Sequence, residues 1–279
     1  MLRSFQIGKL FGIPLYVHTT FFLLPAWMLL ANLGAGVGNM LFLMLFLVSL
    51  FACVVLHELG HALMARVFGI GTESITLYPI GGVARLQRMS DKPFEEICIA
   101  LAGPAVNLVL AALLAPLVAA TFRLESIQVI GVGRFVFELL RANLALLLFN
   151  LLPCFPMDGG RVLRAVLAWW KGQLRATEIA VRIGLVVAFF IACLALPSRS
   201  PMPIVLAGFV LFAGQMELMG LRQREAQRRA AAFALPALGP VEVIIPAPEP
   251  NEGFSGLAWD SRYRVWVRWH NGRPVAYWG

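Results

Sequence analysis

The chain has 279 residues, 59% of them hydrophobic and only 14% charged, with a mean hydropathy of +0.79. Soluble domains carry about a quarter charged residues, so an ordinary soluble domain is excluded and an α-helical polytopic membrane protein is expected. The formal charge of +8 and pI near 9.9 do not argue for nucleic acid, because the basic residues gather in loops and beyond the last apolar stretch, where attraction to a lipid bilayer accounts for them.

Apolar stretches near the ~20 residues that cross a bilayer lie at about 15–33, 40–68, 97–120, 133–152, 177–197 and 201–219, predicting about six transmembrane helices. The first follows Arg3 and Lys9 like a signal peptide. It is too long for such a core, holds His18 and lacks a small-x-small cleavage site, so it reads as a retained span. His18 itself reads as a histidine hydrogen-bonded within the bundle. Basic residues alternate from loop to loop. Arg66, Arg85, Arg88 and Lys92 follow the second stretch, Arg161, Arg164, Lys171 and Arg175 follow the fourth, and Arg222, Arg224, Arg228 and Arg229 follow the last. That alternation predicts a multi-pass protein of the cell (plasma) membrane with both termini cytoplasmic. Cys53, Cys98, Cys154 and Cys193 form no C-x-x-C pair and read as small apolar fillers.

The second stretch contains His57-Glu58-Leu59-Gly60-His61. On a helix, H-E-x-x-H sets two imidazoles one turn apart on one face with a carboxylate beside them. Such a pair can hold zinc, and the glutamate can take a proton from the water that zinc activates. Ionisable residues inside hydrocarbon are costly, so three of them here point to function. Counting back from Phe68 at 1.5 Å per residue places His61 roughly 10 Å and His57 roughly 16 Å below the cytoplasmic end of the helix.

Between the second and third stretches, Ser74 to Pro79 alternates and is rich in β-branched residues, Gly81-Gly82 breaks it, and Val83 to Leu86 resumes. This predicts a short β-hairpin, whose apolar content favours a re-entrant placement. The third stretch opens with Asp91, Pro93, Glu95 and Glu96 as helix-start signals. It carries Gly103, Pro104 and Asn107, whose amide needs a partner in the bundle. Three regions are expected: a transmembrane domain over 1–220, a basic helix and linker over 221–252, and a cytoplasmic β-hairpin tail over 253–279. The tail alternates strictly from Tyr263 to Trp269 and turns at Asn271-Gly272. His270 lies in it and reads as solvated.

Two histidines do not complete a catalytic zinc site, for which three protein ligands are expected. Asp158 lies in Asn150-Leu151-Leu152-Pro153-Cys154-Phe155-Pro156-Met157-Asp158-Gly159-Gly160. By itself it reads equally as a third ligand or as the N-cap of a following helix.

H-E-x-x-H in a membrane helix, followed about a hundred residues later by N-x-x-P-x-x-x-x-D-G, resembles the site-2 protease family of intramembrane zinc metalloproteases. The Gly103-Pro104 and Asn107 segment and the Gly81-Gly82 hairpin match more weakly. The resemblance covers about residues 10 to 220 and is to the compact prokaryotic type, without PDZ or paired nucleotide-sensing domains. It implies one Zn2+ per chain held by His57, His61 and Asp158, Glu58 as catalytic acid/base, and Asn150 orienting the scissile carbonyl. It also implies contacts to substrate from Gly81, Gly82 and Asn107. Substrates would be single-pass membrane proteins: anti-sigma factors, membrane-held transcription factors or signal-peptide remnants. Met157 stands where the family favours leucine. Two rivals remain at this stage: another membrane zinc protease with Glu178 or Glu217 as third ligand, and a metal transporter or inactive scaffold.

Overall fold

The computed structural model describes residues 4–90, 92–123, 127–193, 202–233, 253–260 and 263–278. They form two compact units, Met1–Gln227 and Arg228–Gly279. The first unit opens with strands β1 (Ser4–Leu10) and β2 (Ile13–His18), a 3-10 turn (Thr19–Phe22) and a short helix α1 (Leu23–Ala31). Helix α2 (Val37–Val67) follows, then strands β3 (Thr72–Tyr78) and β4 (Gly81–Leu86). Five helices complete it: α3 (Pro93–Arg123), α4 (Ile127–Asn150), α5 (Asp158–Lys171), α6 (Gln173–Cys193) and α7 (Met202–Phe233), whose last turns run into the second unit.

The four strands make one sheet in the order β1-β2-β3-β4, with β2 and β3 parallel and the other pairs antiparallel. The sheet packs on α2 through Ile13 and Ile75, which bury against Leu59 and Ala62. The predicted hairpin is therefore half of a larger sheet, and its second strand, β4, is an open edge.

Among the described residues, four helices are long and apolar enough to cross a membrane: Val37–Val67, Pro93–Thr121, Gln173–Cys193 and Pro203–Gln227. The protein is a multi-pass membrane protein, and these four helices match four of the six expected stretches; the first stretch folds otherwise. The stretch at 15–33 is divided among the end of β2, the 3-10 turn and α1, and α1 has only nine residues, about 14 Å of rise against the ~30 Å of a bilayer core. Its apolar residues serve packing instead. Val17, Phe21, Leu24 and Met28 cluster with Leu47, Phe51 and Val55 of α2, and the Phe21 ring meets Phe51 edge-on at 4.6 Å. A short apolar run does not by itself distinguish strand from helix. Helix α4 is about 36 Å long but carries Arg134, Glu138 and Arg141. The last two form an i,i+3 ion pair at 2.8 Å.

Two further expectations change. Helix α7 runs through Gly220 without a break, so the basic segment continues the apolar helix rather than starting a new one. One interior glycine costs only about 1 kcal/mol. The linker expected up to residue 252 lies, beyond Phe233, outside the described residues. The tail is a three-stranded antiparallel sheet, β5 (Gly256–Asp260), β6 (Val265–His270) and β7 (Arg273–Trp278), not a lone hairpin. Asn271 and Gly272 join β6 to β7 with φ of 49° and 72°, as a primed turn requires. The unforeseen strand β5 supplies the third member that an isolated hairpin lacks.

Candidate functional site

Helix α2 carries the first half of the site. Its 3.6-residue period sets His57 and His61 on one buried face, with Nε2 atoms 3.1 Å apart. Nδ1–H of His61 donates to the Ile99 carbonyl of α3 at 2.6 Å, so Nε2 is left as a bare acceptor. Both imidazoles face Gly103 of α3. A Cβ at Gly103 would fall 2.7 Å from His57 Nε2 and closer still to His61. Here the reason for glycine is close approach, and the Gly103-Pro104 segment is the wall of the site.

Asp158 arrives from the other half of the chain. Helix α4 ends at Asn150 and α5 begins at Asp158. The connecting residues are closed by Met157 N–H donating to the Cys154 carbonyl at 3.0 Å. Cys154 is fully buried there, and burial pushes its thiol up to about 11, which fits a neutral filler. The N-cap of α5 is Met157, without a side-chain capping bond. The Asp158 carboxylate instead turns to the imidazoles, with Oδ2 3.2 Å from each Nε2. Of the two readings of Asp158, the side-chain N-cap is not what forms.

His57, His61 and Asp158 thus form one buried group whose ligand atoms converge. Ligands about 2.0–2.1 Å from a tetrahedral zinc lie about 3.3–3.4 Å from one another, close to the 3.1–3.2 Å here. Two imidazole nitrogens and a carboxylate oxygen turned on one another in a buried place make a donor set that fits a metal ion. The rival ligands are occupied elsewhere: Glu178 pairs with Arg222 at 2.8 Å and Glu217 with Arg164. Neither joins the group that converges on the imidazoles.

Glu58 is tied to the sheet. The Ala84 N–H of β4 donates to its Oε2 at 3.0 Å. Gly82 admits the Glu58 stem, since a Cβ there would meet Cγ at 2.7 Å. A cavity of about 430 Å³ opens on this group and is lined by His57, Glu58, His61, Asn150, Asp158 and Arg161, and also by Gly81 and Gly82. Of the residues expected at the site, Asn107 alone is not brought to the cavity. It is 0% exposed, one turn beyond Gly103 on the face turned toward α2, and its amide atoms have no hydrogen-bond partner. His57 Nδ1 is likewise buried without one. His18 caps the 3-10 turn, its Nδ1 2.7 Å from Thr20 Oγ1, and stacks against Tyr78. His270 is exposed in the tail sheet.

Three features escaped sequence reasoning: the Ala84 N–H, Arg161 in the cavity wall, and a buried ion network in which Arg164 of α5 binds Glu96 of α3 and Glu217 of α7. Only Arg161 left a signal, its i,i+3 spacing from Asp158.

Comparison with known proteins agrees with this geometry. The model of peptidase family M50 matches residues 45–130 and 116–191, more than half of the chain. A zinc metalloprotease of Methanocaldococcus jannaschii is 37% identical over 218 residues, 78% of this chain and 61% of that protein. Stage IV sporulation protein FB of Bacillus subtilis is 29% identical over 208 residues, 74% of this chain and 65% of that protein. The chain therefore spans less than two thirds of the length of these curated relatives. The solved structure of a site-2 protease from Methanocaldococcus jannaschii superposes with a TM-score of 0.57 at 33% identity, covering 77% of this chain and 95% of that one. With the family model matched over more than half of its length, the chain belongs to peptidase family M50, that of the site-2 proteases.

Proposed function

We propose that the protein is an intramembrane zinc metalloprotease that hydrolyses peptide bonds in or near the membrane-spanning segments of single-pass proteins. The observation that carries this is the convergence of His57, His61 and Asp158 within 3.2 Å, with Glu58 adjoining them on an apolar helix. One zinc ion per chain would be held by the two Nε2 atoms and Asp158 Oδ2. When bound, zinc supplies Lewis acidity, which activates water at neutral pH and polarises the carbonyl.

The chain's own residues do the rest. Glu58 takes the proton of the attacking water and returns it to the leaving nitrogen. The Ala84 N–H steadies one of its carboxylate oxygens, and the other remains for proton transfer. Asn150 lines the cavity from the end of α4 and offers its amide to the scissile carbonyl. A substrate helix hides its carbonyls in i→i−4 bonds and must unwind to be cut. The open edge of β4, with Gly81-Gly82 at its start, can satisfy the freed backbone groups by strand addition.

Both termini are placed on the cytoplasmic side in this reading. Parallel pairing of β2 with β3 puts the N-terminal strands at the end of α2 that carries the site. Arg224 of α7 lines the same cleft as Arg161, and Arg66, Arg85, Arg88 and Lys92 follow α2 on that side. The substrate kinds that the resemblance offers are anti-sigma factors, membrane-held transcription factors and leftover signal peptides.

The test is incubation of the purified protein with a single-pass reporter, wild type against Glu58→Gln, with zinc content measured in parallel. The reading requires that Glu58→Gln keeps zinc and lowers cleavage by about 10²–10⁴-fold. Cleavage undiminished in Glu58→Gln overturns it, as does wild-type protein that binds zinc and cuts nothing.

A further inference from the structure

We propose that the cleft beside the catalytic cavity is the subsite for an acidic segment of the substrate, with Arg161 and Arg224 as its specificity-determining cations. This rests on the protease reading above. The cleft measures about 610 Å³ and is continuous with the catalytic cavity, since Tyr78, Val83, Ala84, Pro156 and Arg161 line both. One wall is the face of the hairpin turned away from α2, where Ser74 lies opposite Arg85 and Thr76 opposite Val83. The facing wall is made by α5 and α7 and contributes Arg161, Arg164, Glu217 and Arg224.

The cations of this cleft are not equally available. Arg164 is taken by Glu96 and Glu217. Arg85 pairs with Glu73 at 3.5 Å, both largely exposed, which commits neither strongly. Arg161 reaches Asp158 only at 3.9 Å, and its Nε is buried without a hydrogen-bond partner. Arg224 forms no ion pair among the described residues. Glu217 is the acidic side chain in the lining, and Arg164 neutralises it. Arg161, at the mouth of the catalytic cavity, and Arg224, farther along on α7, therefore remain for a ligand on this wall, and the weakly held Arg85 lies on the hairpin side.

A guanidinium fork suits a carboxylate. A peptide extended along the edge of β4 leaves the catalytic cavity by way of Arg161 and enters this cleft, where its acidic side chains meet both cations. A phosphate headgroup shares that chemistry. The peptide is favoured because the cleft joins the catalytic cavity and is bordered by a strand edge, which pairs with backbone and not with lipid.

The experiment uses three single-pass reporters that differ in the residues flanking the scissile bond: aspartates, asparagines or lysines. Wild-type protein should cut the aspartate reporter about tenfold faster than the lysine one, and Arg224→Glu should reverse that order, with the asparagine reporter falling between the two in each case. Equal rates on all three, or an equal loss on all three in Arg224→Glu, overturn the subsite. A second readout does not depend on proteolysis. Anisotropy of a fluorescent aspartate peptide on metal-stripped Glu58→Gln protein should show salt-sensitive binding that Arg224→Glu weakens. If no reporter is cut by wild type, the protease reading fails, and this binding alone decides the subsite. Binding indifferent to Arg224→Glu overturns it. So does binding seen in phosphatidylcholine nanodiscs but abolished by phosphatidylglycerol, which would make the cleft a headgroup site.

Discussion

The two halves of α2 obey opposite rules. From Val37 to Ala52 the helix is almost wholly apolar, yet only Leu47 and Phe51 are buried, while Leu41 and Val48 are 66% and 67% exposed. From Cys53 to Val67 the sequence is more polar, yet His57, Leu59, His61, Ala62 and Ala65 are all buried. In lipid, apolar surface has no reason to hide, and helices approach closely where side chains are small or polar. The second half does this with Gly60, Ala62 and Ala65 against α3 and the sheet. Burial along α2 therefore follows the site rather than hydrophobicity.

The comparison can be broken most severely at Gly103. Gly103→Leu should abolish bound zinc and cleavage together, as read by metal analysis and a reporter assay, because its side chain would occupy the space of both imidazole nitrogens. Retained zinc would mean that α3 does not press on the pair as described. Next comes Arg164→Leu, which strands Glu96 in a buried place. It should cost about 3–5 kcal/mol, seen as a fall in thermal midpoint. Gly60→Ala, with a Cβ 2.7 Å from the Ala102 carbonyl and crowding Val106, should cost about 1–3 kcal/mol by forcing the helices apart. Val48→Ala, in the lipid-facing half, should stay within about 0.5 kcal/mol. A loss there as large as that of Gly60→Ala would erase the contrast between the halves.

Much of the site was legible because it is local. H-E-x-x-H needs only the helical period to set two imidazoles side by side. Asp158 was different. It lies 97 residues beyond His61 in the sequence, nothing local separated a ligand from an N-cap, and the resemblance tipped the balance. The contacts of Arg164 were illegible for the same reason, since its partners lie 68 and 53 residues away. The fold failed where composition is ambiguous. The 15–33 stretch has the hydropathy of a span, but its first residues are a central strand whose neighbours, β1 and β3, come from either side in sequence. Strand β5, five residues long, was too short to show itself by alternation alone.

The carboxylate of Glu58 is held by a peptide N–H and not by a side chain. Alanine scanning along β4 would therefore pass over the support of the base, since every residue but one offers the same donor. Only an imino acid at position 84, or an ester in place of that amide, removes it. The most consequential contact in the strand is one that codon changes, with a single exception, leave in place.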